Sequence, residues 1–202
     1  MIESYNTITE KSIGEYREKG SKFIAYAHHV KEEEEIKELL EFYRAEHHKA
    51  RHWCYAYRLD NEGKLFRAND DGEPSGTAGK PILGQIDSFE LTQIFVVVVR
   101  YFGGKKLGAS GLINAYKTST AEALKVAKII EIKIRSYYEV GFAYERMNDL
   151  MRFIKHDELK IINQSYDKQC KLKFSIPVAN EQEVLDKVGK LYDVKIEKLY
   201  TM

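Results

Sequence analysis

Two stretches of this chain concentrate residue types that do chemistry with anions, metals or phosphate. DDGEPSGTAGKP (residues 70–81) brings two aspartates, a glutamate and a lysine into a run broken by glycine and proline. RYFGGKKLGASG (residues 100–111) puts lysines where the first has aspartates. A phosphate cradle, a metal site and a tight turn are the three things such a composition offers.

The first stretch fails the phosphate-loop pattern at two required places. In G-x-x-x-x-G-K-[ST], backbone amides cradle phosphate while a hydroxyl holds Mg²⁺. Here Pro81 follows Lys80, and Pro74 stands where the first glycine belongs. A calcium loop needs alternating oxygen ligands and a closing glutamate, whereas Asp70 and Asp71 are adjacent and Glu73 sits two residues further on. The pattern fits a structured turn. Asp70, Asp71 and Glu73 are expected to brace the loop, by accepting backbone N–H bonds or by pairing with Arg100 or Lys80, while Thr77 caps the next helix.

The second stretch has the physics of an anion site. It joins an apolar strand to a helix start, where Gly103, Gly104, Gly108 and Gly111 let backbone amides converge and the helix dipole favours negative charge. Lys105, Lys106, Arg100 and Lys117 add positive charge, with Lys80 from the first stretch. Tyr101 and Phe102 have the character to stack on unpaired bases. The signature of an RNA-recognition motif is absent, as is the dinucleotide spacing G-x-G-x-x-G. The same residues also fit a tight strand–helix junction with glycines for packing and lysines for solubility, and both readings stay open at this point.

His47, His48, His52 and Cys54 lie close together, with His52 and Cys54 on one face of a strand. Zinc takes about four ligands in tetrahedral order, and no second cluster accompanies this one, so no metal site is expected. Side chains two apart on a strand point the same way without a reliable hydrogen bond, which argues against a Cys–His nucleophile. Cys54 is expected as a small buried hydrophobe. No catalytic residue and no cofactor are expected.

The elements that hold these residues follow from hydrophobic periodicity. A strand is predicted over residues 21–30, and an amphipathic helix over 31–48 with Ile36, Leu39, Leu40 and Tyr43 on one face and glutamates at its positive end. Strands over 51–60 and 64–69 form a hairpin. A short helix lies within 77–89, with Ile82 and Ile86 sharing a face. Residues 91–102 read as a strand buried on both faces, and a helix over 112–128 presents Ala115, Thr118, Ser119 and Ala123 to a sheet. From residue 136 the pattern restarts as strand, helix, strand, strand, helix, strand, with helices over 145–157 and 180–192 and strands over 137–144, 159–167, 168–177 and 193–200. That is the order of a ferredoxin-like unit. The expected fold class is α+β in two domains, residues 1–134 and 135–202.

With 202 residues, 44% of them hydrophobic and 31% charged, the chain can bury a core in one domain or two. A net charge of +1 excludes binding to nucleic acid through global charge and requires a local basic patch instead. The two cysteines form no disulfide framework. Residues 1–20 lack an apolar signal segment, and the run IFVVVV is too short to span a bilayer. A cytoplasmic protein without a membrane partner is expected; nothing in the sequence specifies its oligomeric state.

Taken together, DDGEPSGTAGKP, VVVRYFGGKKLGASGL, GSKFIAYA and ARHWCYAY resemble the YigZ/Impact family across essentially the whole chain. The resemblance is to a bacterial-type member without the RWD domain. It implies an N-terminal domain similar to domain IV of elongation factor G and to small-molecule kinases, and a C-terminal domain similar to domain V of that factor. Eukaryotic Impact is a translational regulator that competes for a protein partner through its additional RWD domain, so that role is not expected here. The resemblance implies contact with RNA, the ribosome or a protein of the translation machinery, without established chemistry. The rival it leaves open is an enzyme that binds a nucleotide or phosphometabolite. One departure is Asn114, where members of the family often carry a basic residue.

Overall fold

The computed structural model describes residues 2–156, 159–166, 170–189 and 194–202. Two compact units emerge: Tyr5–Ile132, and Lys133–Met202 together with the first residues of the chain. Both mix helix and sheet, as the α+β class expects.

The first unit opens with β1 (Ser4–Ile8), β2 (Ser12–Glu18) and β3 (Ser21–His29), followed by α1 (Glu33–Glu46). Glu32 and Glu35 close a capping box at the start of α1, where Glu33 and Glu34 also meet the positive end of the helix dipole. Then come β4 (His52–Leu59), β5 (Leu65–Asn69), α2 (Gly79–Ser88), β6 (Ile94–Tyr101), α3 (Gly108–Lys125) and β7 (Ile129–Lys133). The main sheet has the order β2-β3-β6-β4-β5, and every neighbouring pair is antiparallel. β1 and β7 pair in a separate two-stranded ribbon.

β6 is the central strand and has a core on each side. Val96 and Val98 pack with Ile82 and Ile86 of α2 and with Ala115, Ala123 and Leu124 of α3. Phe95, Val97 and Val99 pack on the opposite face with Ile36 and Tyr43 of α1. Each such fully buried side chain contributes about 1.5–3 kcal/mol, which explains why a continuous apolar run occupies this strand.

Three local expectations need correction. Polar residues at the chain start form β1 and β2. β2 alternates, and a Cβ on its Gly14 would lie 2.2 Å from the Ala123 amide nitrogen, so glycine stands where α3 presses on the sheet. β7 also lies outside the strands read from periodicity. Finally, α3 begins at Gly108, not at Leu112, so the last third of the glycine stretch is already helix.

The second unit runs β8 (Arg135–Phe142), α4 (Met147–His156), β9 (Lys160–Tyr166), β10 (Cys170–Pro177), α5 (Glu181–Val188) and β11 (Lys195–Thr201). Its sheet has the order β11-β8-β10-β9 with antiparallel neighbours. Leu150 and Ile154 of α4 and Val184 and Val188 of α5 pack on Val140, Leu172 and Phe174. The expected element ends at Asp157, Asp167 to Gln169 and Lys190 to Asp193 lie outside the described residues. Among the described residues no helix is long and apolar enough to cross a membrane.

Candidate anion-binding site

Strand register creates the site. Arg100 on β6 pairs with Phe23 on β3 and with His52 on β4, so the three side chains stand at one level on the face that carries α3. The Arg100 guanidinium lies over two rings, 5.3 Å from the centre of Phe23 and 5.5 Å from that of Phe102. Below it, Glu73 accepts hydrogen bonds from Arg100 Nη1 and from the Tyr116 hydroxyl. The Tyr116 hydroxyl also accepts the Cys54 S–H at 3.2 Å. Burial pushes both the Tyr116 hydroxyl and the Cys54 thiol far above their ordinary values, so both stay protonated donors.

The acidic residues each hold a different part of the loop. The Asp70 carboxylate accepts the amides of Gly76 at 2.8 Å, Ala78 at 3.0 Å and Gly79 at 2.8 Å. Burial alone would raise the pKa of this carboxyl, but the three amides outweigh it and hold it below the usual carboxylate value. Asp71 accepts Arg44 Nη2 at 2.9 Å and the Trp53 amide at 2.8 Å, tying the loop to α1 and β4. The Thr77 hydroxyl donates to the Pro74 carbonyl at 2.6 Å and does not cap α2; Asp70 supplies that cap from upstream.

A pocket of about 580 Å³ opens beside this network, lined by Arg51, His52, Glu73, Pro74, Arg100, Phe102, Lys106 and Leu107, by Gly108 and Ala109 of the first turn of α3, and by Leu112. Leu107 occupies the N-cap position of α3 and no side chain caps the helix. Ser, Thr, Asp or Asn would ordinarily satisfy an amide there. Gly108 adopts φ +75°, a conformation that favours glycine. His52 Nδ1 donates to the Asp71 carbonyl at 2.9 Å, and its Nε2 lies 3.9 Å from Glu73 Oε1.

The residues expected at the anion site separate in space. Arg100, Phe102, Lys106 and Gly108 line the pocket. Lys105 and Gly104 are exposed beside it, and Gly111 lies within the first turns of α3. Gly103 is consumed by packing: its amide donates to Ser21 Oγ at 3.1 Å, and a Cβ there would fall 2.0 Å from the backbone of Gly20. Tyr101 points to the other face of the sheet, where its hydroxyl meets His47 Nδ1 at 2.8 Å. Lys117 is exposed and sits about 13 Å along the helix axis from Gly108. Lys80 is exposed on the first turn of α2, outside the pocket lining. The sequence does not mark Arg51 and His52 as anion-site residues, because only the pairing of β4 with β6 brings them beside Arg100. Among the described residues no group of three His, Cys, Asp or Glu side chains could hold a metal ion.

Comparison with known proteins gives the family of the chain. The family described as the Impact N-terminal domain matches residues 19–124, a span that contains the whole pocket. The chain is 36% identical to the IMPACT family member YvyE of Bacillus subtilis (strain 168) over 82% of its own length and 77% of that protein's. It is 34% identical to the IMPACT family member YigZ of Escherichia coli (strain K12) over 85% of each. A crystal structure described as that of a hypothetical protein superposes with a TM-score of 0.70 at 29% identity, covering 99% of both chains. This chain belongs to the IMPACT family.

Proposed function

We propose that this protein is a non-enzymatic, translation-associated factor that binds RNA or the ribosome through the anion-binding loop of its first unit. One observation carries the proposal: the uncapped start of α3 opens into a pocket lined by Arg51, Arg100 and Lys106. Helix-terminal amides and cations together are the physical requirement for holding phosphate. Phe102, 46% exposed, offers a ring beside them for a base. The family's link to translational regulation supports the cellular setting, with the cytoplasm as the site of action and a protein of the translation machinery as a further partner. The strand order β11-β8-β10-β9 supports a ferredoxin-like second unit akin to domain V of elongation factor G. The first unit, a sheet with helices on both faces, accords with kinship to domain IV.

The test is a salt titration of binding to single-stranded RNA and to ribosomes. Affinity falls with salt, and Lys105→Ala/Lys106→Ala reduces the slope by about 0.7 for each phosphate no longer neutralised. Binding that is unmeasurable at low salt, or unchanged in the double variant, refutes the proposal.

The pocket volume favours a second reading, since about 300–1,000 Å³ is the range of small-molecule sites. On that reading the chain is an enzyme that binds a nucleotide or phosphometabolite. A rise in melting temperature with ATP, GTP and Mg²⁺ would promote it.

A further inference from the structure

The hydrogen-bonding state of Arg100 narrows what the pocket takes. Its residue exposure is only 5%, and among the described residues Nη1 is its one side-chain nitrogen with a hydrogen-bond partner, the Glu73 carboxylate. Nε is buried and has no hydrogen-bond partner. A buried guanidinium N–H left without a partner is costly, and a ligand oxygen would supply that partner. With Nη1 held by Glu73, the edge formed by Nε and Nη2 is the one left over. That edge is the fork that matches two oxygens of a phosphate or carboxylate.

Charge and donor number then choose among anions. Arg51, Arg100 and Lys106 line the pocket against the single carboxylate of Glu73, which leaves two positive charges uncompensated. The first-turn amides of α3 and Lys106 require acceptors beyond the two that the Arg100 fork engages. An internal phosphodiester offers two free oxygens and one negative charge. A phosphate monoester offers three free oxygens and a charge of about −1.5 to −2 near neutral pH. We infer that the pocket between Arg100 and the start of α3 binds a terminal phosphate monoester, with Phe102 as the stacking surface for the attached nucleoside. The inference rests on the anion-binding reading of this loop and specifies its ligand. The monoester has two sources, the phosphorylated end of an RNA strand or a free nucleoside monophosphate.

The experiment measures binding of one single-stranded RNA sequence prepared with a 5′-phosphate, with a 3′-phosphate, or with hydroxyls at both ends. Inorganic phosphate and a nucleoside 5′-monophosphate serve as competitors. A phosphorylated end is expected to tighten binding by about ten- to a hundredfold, the worth of one charge-assisted hydrogen bond. Inorganic phosphate should erase that difference. Phe102→Ala and Lys106→Ala, both at exposed side chains, should each shrink it, which keeps the test independent of whether an Arg100 variant folds. Monophosphate binding without RNA binding upholds the monoester pocket, assigns it to a small molecule and removes the RNA reading. Equal affinity for all three RNAs with no competition by phosphate overturns the monoester inference while leaving a general RNA surface intact. Absence of binding by every probe overturns both.

Discussion

Glu73 and Arg100, which belong to different glycine-rich stretches of the sequence, form an ion pair in which the two side chains are 4% and 6% exposed. Such a pair is held together by mutual need: neither charge is tolerable in that site without the other. Glu73→Ala should therefore cost about 3–5 kcal/mol, whereas Glu73→Leu combined with Arg100→Met should cost far less. Trp53, the single tryptophan, lies in the same unit and its Nε1 donates to the Tyr43 carbonyl, so its fluorescence in urea reports this unit's unfolding. Equal stability of wild type and Glu73→Ala would show that the pair does not hold the loop.

Asp70 makes a second prediction, with a defined pH dependence. Asp70→Asn removes the charge and turns an NH2 toward one of the donor amides, so it should destabilise by about 1–3 kcal/mol near neutrality, the scale of a lost hydrogen bond to a charged group. The folded pKa is below the unfolded value. Stabilisation is thus complete above the ordinary carboxylate range and is lost as pH falls through the folded pKa. Urea midpoints of the two proteins should converge in acid, below about pH 4. A gap that persists unchanged there would contradict the assignment.

His28 acts in the same direction for a different reason. Burial, aided by the charge of Lys11, holds its pKa down to about 4 from 6.5. Its Nε2 meets the Tyr43 hydroxyl at 2.7 Å. Between these values the unfolded chain binds a proton that the folded chain refuses, so stability declines as pH falls from 6.5 toward 4. In His28→Gln this decline should flatten, as read from urea midpoints across that window. NMR titration of His28 near its ordinary value would rule the explanation out.

Gly14 tests the packing of β2 against α3. An added Cβ would come 2.2 Å from the Ala123 nitrogen and 2.6 Å from the Ser119 carbonyl oxygen, both rigid backbone. Gly14→Ala should destabilise the first unit by about 1–3 kcal/mol or more, although alanine ordinarily improves a strand. Thermal unfolding followed by Trp53 fluorescence checks this, and an unchanged midpoint would mean that α3 can retreat from the sheet.

The differences between expectation and structure have physical causes. Polar alternation in β2 carries little hydrophobic signal, because a glycine makes its packing against α3. Periodicity starts α3 too late because Gly108 and Gly111 have poor helix propensity, which tertiary packing overrides. Tyr101 groups with Arg100 by sequence although adjacent strand residues face opposite ways, a signal the sequence does contain.

Local chemistry in the chain determined the helices and the strands β3–β6 and β8–β11 to within a few residues, the doubly buried character of β6, and the membership of Asp70, Glu73, Arg100 and Lys106 in two glycine-rich stretches. Those follow from periodicity and residue type, which act over a few neighbours. Tertiary structure decided that Arg100 faces His52 and Phe23, that Glu73 reaches under it, and that the bare amides of α3 open beside Arg51 and Lys106. Register and burial set those relations between segments distant in the chain, and neither is written in any one of them.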